Sequence, residues 1–329
     1  MIESEPTPTS ADRRKVDPAV ARSLLESSLG LKAGESLVVV TDTLTDEIGE
    51  ALFQGGIQAG AHAVMVVITP TGKSGAEPPA AAAAAMEHAD VLVCPTKFSL
   101  SHTQARHRAT QSGARVATMP GIHAGMFFDG PITANFADVE GRTLALQRLL
   151  TEGSEARIVS GGGGSELRFS IRGRAGLAST GRCLEPGSWG NLPSGEAYLA
   201  PVEGTADGEL VVNASVSGVG RLQEPMRLRI SKGQLVEAEG ESGGKLLAIL
   251  GGGAGRNVAE FGIGTNEKAR ITGVVLEDEK ALGTIHIAFG DNSTFGGTVR
   301  AGVHIDVVVQ GPDVYLDDDQ ILDAGRLLV

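Results

Sequence analysis

The sequence predicts an α/β amino-terminal domain built on a parallel, doubly wound sheet, followed by a mainly β (α+β) carboxy-terminal domain that carries a metal site. Three observations predict it. Helix and strand periodicities alternate over residues 17–150. From about residue 155 glycines multiply, and a two-residue alternation replaces the helical repeat. The length, 329 residues, also exceeds what one hydrophobic core ordinarily serves. The expected division is a disordered arm over 1–16, an α/β domain over 17–152 and a mainly β metal-binding domain over 153–329.

Taken in order, residues 19–29 place apolar side chains at helical spacing, and 36–40 is a run of strand formers. Residues 46–58 are amphipathic, 63–68 form a second strand and 79–88 an alanine-rich helix. A strand over 90–94, a helix over 102–111 and a strand over 115–118 continue the pattern, and a helix over 138–150 closes it. Strands separated by helices need crossover connections and therefore pair in parallel. Further on, 167–171, 208–212, 226–230 and 234–239 read as antiparallel strands joined by tight turns, with one helix at 244–250.

Bulk properties narrow the function. A net charge of −12 argues against nucleic acid or an anionic membrane as partner, because phosphates are met by clustered Lys and Arg. There is no apolar run of roughly 18 residues to span a bilayer. The start, MIESEPTPTSADRRKVDP, has no apolar stretch of the secretory kind, so a cytoplasmic location is expected. Cys94 and Cys183 stand far apart, which supports neither a disulfide framework nor a thiolate zinc site.

Several motifs fail on inspection. Thr71-Gly72-Lys73-Ser74 resembles the tail of a phosphate loop, but Val67 stands where the first glycine is needed. Gly161–Gly164 and Gly251–Gly253 lack the strand–loop–helix context, and turns explain them. No G-x-S-x-G elbow marks a serine hydrolase. His62, His88, His102 and His107 read as solvated or capping residues. His123 follows a parallel strand, where open sheets place ligands, and is kept as a substrate contact.

The chemistry concentrates in TIHIAFGDNSTFGGTVRAGVHIDVVV, residues 284–309. Two alternating runs each carry one histidine. Side chains alternate between the faces of a strand, so Thr284, His286 and Ala288 share a face, as do His304 and Asp306. A histidine alone on a strand is more often structural. The His-x-Asp pair argues more strongly, because burying a carboxylate without a cation is costly. Imidazole, carboxylate and a second imidazole converging from neighbouring strands outline a metal site. Glu196, in Asn191-Leu192-Pro193-Ser194-Gly195-Glu196, and Glu260, in Ala259-Glu260-Phe261-Gly262, sit among glycines that allow close approach. The runs Glu277-Asp278-Glu279 and Asp317-Asp318-Asp319 read as solvated surface, although Glu279 precedes His286 closely enough to stand near the site.

Together these segments, with His286-Ile287-Ala288-Phe289-Gly290 and His304-Ile305-Asp306, resemble the thermophilic metalloaminopeptidases of the aminopeptidase T/S class. The resemblance spans most of residues 100–315. It implies a two-domain homodimer in which Glu196, Glu260, His286, His304 and Asp306 hold two divalent ions, zinc, cobalt or manganese. It also implies a hydrolase removing N-terminal residues from small peptides, with Glu196 or Glu260 as the catalytic proton carrier. The chain departs from that pattern in one segment. The family's tyrosine after the first histidine is missing from Asp291-Asn292-Ser293-Thr294-Phe295, and the two histidines lie closer together.

The same superfamily includes ring-cleaving dioxygenases of dihydroxypyridines. For these the resemblance implies one Fe(II) held by His286, His304 and Asp306, acting on a small aromatic molecule. A third reading is a non-enzymatic binding protein on the same fold. The leading expectation is the aminopeptidase, a metalloprotease.

Overall fold

The computed structural model describes residues 15–329, so the expected amino-terminal arm lies outside the described residues apart from Lys15 and Val16. Among these, the chain forms two compact units, residues 15–133 with 181–193, and residues 134–180 with 194–329. No helix of the described residues is long and apolar enough to cross a membrane.

The first unit opens with α1 (Pro18–Leu29). The Asp17 carboxylate accepts the Ala19 N–H at 2.8 Å, and Pro18 fills a first-turn position that needs no donor. Gly30, with φ 58°, ends the helix in the left-handed region where a side chain is disfavoured. There follow β1 (Ser36–Asp42), α2 (Asp46–Gln58), β2 (His62–Ile68), α3 (Ala80–Glu87), β3 (Val91–Thr96), α4 (Gln104–Gln111) and β4 (Arg115–Pro120). With β5 (Trp189–Asn191) they make a five-stranded parallel sheet ordered β2-β1-β3-β4-β5.

Strand β1 is apolar on both sides, as a sheet covered twice requires. Val38 and Val40 join Leu92, Cys94, Val116 and the α3 residue Met86 in one core layer. Leu37 points the other way, so close under α2 that a methyl group on Gly56 would collide with it.

The second unit contains two antiparallel sheets. The first runs Gln234–Glu239, Met226–Ser231, Asp207–Val212, Ser165–Ser170, Glu155–Ser160, Asp313–Leu316, Asp319–Asp323, Arg326–Leu327. The second has at its centre β6 (Glu196–Leu199), β7 (Val258–Gly264), β8 (Thr284–Gly290) and β9 (His304–Gln310), in the spatial order β9-β8-β7-β6. Short strands flank it, Ser215–Val216 beyond β9 and Leu177–Ser179 beyond β6.

One apolar core takes alternate residues from both sheets. Leu167, Phe169, Leu210 and Leu228 come from the first, and Phe261, Ile285, Ile287, Phe289 and Val307 from the second. Phe169 meets Phe261 edge-on, with centroids 5.3 Å apart. The helix expected over 138–150 is α5 (Phe136–Glu152), and it packs within this second unit, sending Leu146 and Leu150 into the core. A second helix, α6 (Gly243–Leu250), adds Leu246 and Leu250. Burying each such side chain is worth about 1.5–3 kcal/mol before entropy is counted. That suffices to leave the other face of the β6–β9 sheet free for polar residues.

Candidate metal centre

Strand register builds the centre. Ala288 of β8 lies opposite both Glu260 on β7 and Asp306 on β9, and Gly290 lies opposite His304. Gly262 lies opposite His286, and Gly264 opposite Glu196 on β6. The residues Glu196, Glu260, His286, His304 and Asp306 therefore project from one face, each beside a small neighbour that leaves it room.

Two glycines are required here. The His286 ring lies directly over Gly262, where a methyl group would collide with it. Gly195, with φ 127°, turns the chain into β6 against Asn266, at a spot where an added Cβ would come within 2.8 Å of the Asn266 Cβ.

The side chains meet. His286 Nε2 lies 3.2 Å from Glu260 Oε1 and 3.5 Å from Glu196 Oε2. His304 Nε2 lies 3.3 Å from the other Glu260 oxygen and 3.4 Å from Asp306 Oδ1. Glu260 thus stands between two imidazoles. His304 Nδ1 sits 2.8 Å from the Asp291 carbonyl, so that nitrogen donates and Nε2 is the one presented to the centre. Ser217 Oγ donates to Asp306 Oδ2 at 3.4 Å. Two groups are compact enough to hold an ion, Glu196–Glu260–His286 and Glu279–His286–Asp306, and they share His286. His304 joins them through Glu260 and Asp306.

Electrostatics follow from this crowding. Burial opposes ionisation of Glu260, yet hydrogen bonds from His286 and His304 hold its carboxyl down to about 2. Burial also works against a charged His286, but the Glu260 hydrogen bond and the charges of Glu196 and Glu279 raise it to about 9. His304 is raised to about 12 against its burial, first by the Asp306 and Glu260 hydrogen bonds. Burial lifts Glu279 to about 7.

The donor set fits a metal. His286 Nδ1 and Glu196 Oε2 are buried without a hydrogen-bond partner, an arrangement that a fold avoids unless a ligand compensates it. Nitrogen and carboxylate donors without thiolate suit iron, zinc or manganese.

Some of the site escaped the sequence. Of the run Glu277-Asp278-Glu279, expected on the surface, Glu277 and Asp278 are buried instead, and so is the next residue, Lys280. Asp278 accepts from the backbone N–H groups of Thr272 (2.7 Å) and Gly273 (2.9 Å), which makes its burial affordable. Lys280 Nζ lies 2.6 Å from both Glu196 Oε1 and Glu279 Oε1. Tyr198, next but one to Glu196, sends its ring to within 6.0 Å of the Phe295 ring, which lies 5.7 Å from that of His304. His123 precedes the short 3-10 turn Ala124–Phe127 of the first unit.

A family model described as 2,5-dihydroxypyridine 5,6-dioxygenase, the NicX family, matches residues 19–329. The chain belongs to that family. A 2,5-dihydroxypyridine 5,6-dioxygenase of Pseudomonas putida KT2440 is 24% identical over 267 residues, 75% of this chain and 73% of the relative. The solved structure of 2,5-dihydroxypyridine dioxygenase from the same organism superposes with a TM-score of 0.78 at 20% identity, over 95% of this chain and 96% of that one. Wild-type AmpT from Thermus thermophilus gives 0.68 at 18% identity, over 95% and 98%. These two structural likenesses show the shared fold.

NicX membership overturns the leading expectation of an aminopeptidase-like hydrolase, and with it the metalloprotease assignment. Histidine and carboxylate donors serve hydrolysis and oxygen chemistry alike, and the segment that lacked the tyrosine departs from the peptidase pattern. Phe295, which carries no hydroxyl, turns its ring toward His304 there. The findings support an enzyme with a metal centre, on the dioxygenase side of the superfamily.

Proposed function

We propose that this chain is a ring-cleaving dioxygenase acting on a small dihydroxylated pyridine, with a single non-haem Fe(II) held by His286, His304 and Asp306. One observation carries the assignment of ligands: the two imidazoles turn their Nε2 atoms toward the same carboxylate, with Asp306 against the second ring. Bound by these residues, iron would supply the redox chemistry that brings oxygen and substrate to reaction.

The chain's own residues do the rest. The Asp291 carbonyl fixes the His304 ring, so its Nε2 lone pair is directed at the centre. Glu260, set between the rings and buried, is placed to accept a hydrogen bond from a ring hydroxyl, and Glu196 offers its unpartnered Oε2 beside it. Phe295 beside His304, backed by Tyr198, supplies aromatic surface that suits a flat ring better than a peptide chain.

The test is direct. The protein is loaded with Fe(II) without air and mixed with 2,5-dihydroxypyridine and oxygen labelled with 18O. Both label atoms should appear in the ring-opened product, and a zinc-loaded sample should be inert. No loss of substrate from the iron-loaded protein would refute the assignment.

A further inference from the structure

We infer that Lys280 is the residue that limits this centre to one divalent ion, its ammonium serving as the built-in second cation. The inference rests on the metal centre proposed above and adds what decides its stoichiometry.

The face of the sheet offers more than one cation position. Glu196–Glu260–His286 and Glu279–His286–Asp306 are each compact enough to hold an ion. Lys280 takes one carboxylate from each group: its Nζ lies 2.6 Å from Glu196 Oε1 and 2.6 Å from Glu279 Oε1. Lys280 is buried, 4% exposed, so water does little to weaken the charge of its ammonium. One oxygen of Glu196 is thereby occupied, and the other, Oε2, faces His286.

Charge counting gives the same answer. Glu196, Glu260, Glu279 and Asp306 carry four negative charges when ionised, and Lys280 cancels one of them. One divalent ion with neutral imidazoles leaves the centre one charge short of neutral. A second would make it net positive and would set two like charges against the same carboxylates. Without the ammonium, Glu196 and Glu279 would stand buried and unpaired, a costly state that a second ion repairs.

The experiment counts bound Mn(II) after equilibrium dialysis of the full chain and of Lys280→Gln, Lys280→Met and Lys280→Arg. Wild type and Lys280→Arg should hold one ion per chain. Both neutral variants should hold two, the second at least about tenfold more tightly than any second ion on wild type. They should also gain more thermal stability from Mn(II) than wild type does, because their unpaired acids are the groups relieved. Two ions on wild type, or one on a folded neutral variant, would overturn the role of Lys280 while leaving the metal centre standing. No ion on wild type would instead overturn the centre itself. Should the neutral variants fold only in the presence of Mn(II) and with two ions bound, the inference is supported; if they stay unfolded even with Mn(II), no second ion has replaced the ammonium and the inference is overturned.

Discussion

The two faces of the β6–β9 sheet are written by the same strands and could hardly differ more. On one, Phe261, Ile285, Ile287, Phe289 and Val307 are buried against a second sheet. On the other, one residue along in each strand, stand Glu260, His286 and Asp306 with their neighbours. Both faces are largely shielded from water, but for opposite reasons. The apolar face gains free energy by burial, whereas the polar face loses it and must recover the loss through pairing or a bound cation. Stability and chemistry are therefore separable here, face by face, although every strand serves both.

That separation is open to attack. The largest effect should come from His286→Ala or Asp306→Ala. Either should lower dioxygenase turnover by about three orders of magnitude or more while circular dichroism stays native. Substantial turnover in either variant would remove that residue from the centre. The mirror experiment is Phe261→Ala, which empties space on the apolar face. A cost of about 3–5 kcal/mol in denaturant unfolding is expected, with iron content per folded chain unchanged. Loss of iron from the folded fraction would show that the two faces are not independent.

A subtler break is Gly262→Ala. The added methyl group would push the His286 ring from its place, so metal affinity should fall about 10- to 100-fold with little change in fold. Calorimetric titration with Mn(II) reads it, and unchanged affinity would mean that His286 is not held as described.

The smallest effect is one of pH. His286 in the metal-free protein is raised from 6.5 to about 9. Its protonated form is therefore favoured by folding, and the stability it contributes is complete below about 6.5 and lost as pH rises through about 9. Metal-free protein should lose thermal stability across that window. Metal-loaded protein, whose imidazoles have already given up their protons, should lose less, and the gap between the two should widen with pH. A metal-free protein that gains stability there would contradict the pairing.

Much of the candidate site's geometry was legible because alternation on a strand is a local signal. The runs around His286 and His304 announced both their strands and the shared face of His304 and Asp306. The parallel α/β unit was legible for the same reason, through its alternating periods. The partners across the sheet were not: Glu196 meets Gly264, and Glu260 meets Ala288, by pairings between strands far apart in sequence. Lys280 was hidden by its company, since an acidic run reads as solvated until the register that buries it is known. The three-residue strand β5 is too short for periodicity to show. The reaction class was the largest miss. Histidines and carboxylates serve hydrolysis and oxygen chemistry alike, so ligand identity alone does not separate them. The segment Asp291-Asn292-Ser293-Thr294-Phe295, without the tyrosine, was the one departure from the peptidase pattern, and the candidate ligands around it outweighed it.

The central claim is best tested by following dissolved oxygen with an electrode as Fe(II)-loaded protein meets 2,5-dihydroxypyridine. Uptake should match the substrate consumed mole for mole and stop when it is exhausted. Substrate consumed without oxygen uptake, or no consumption at all, would contradict the account.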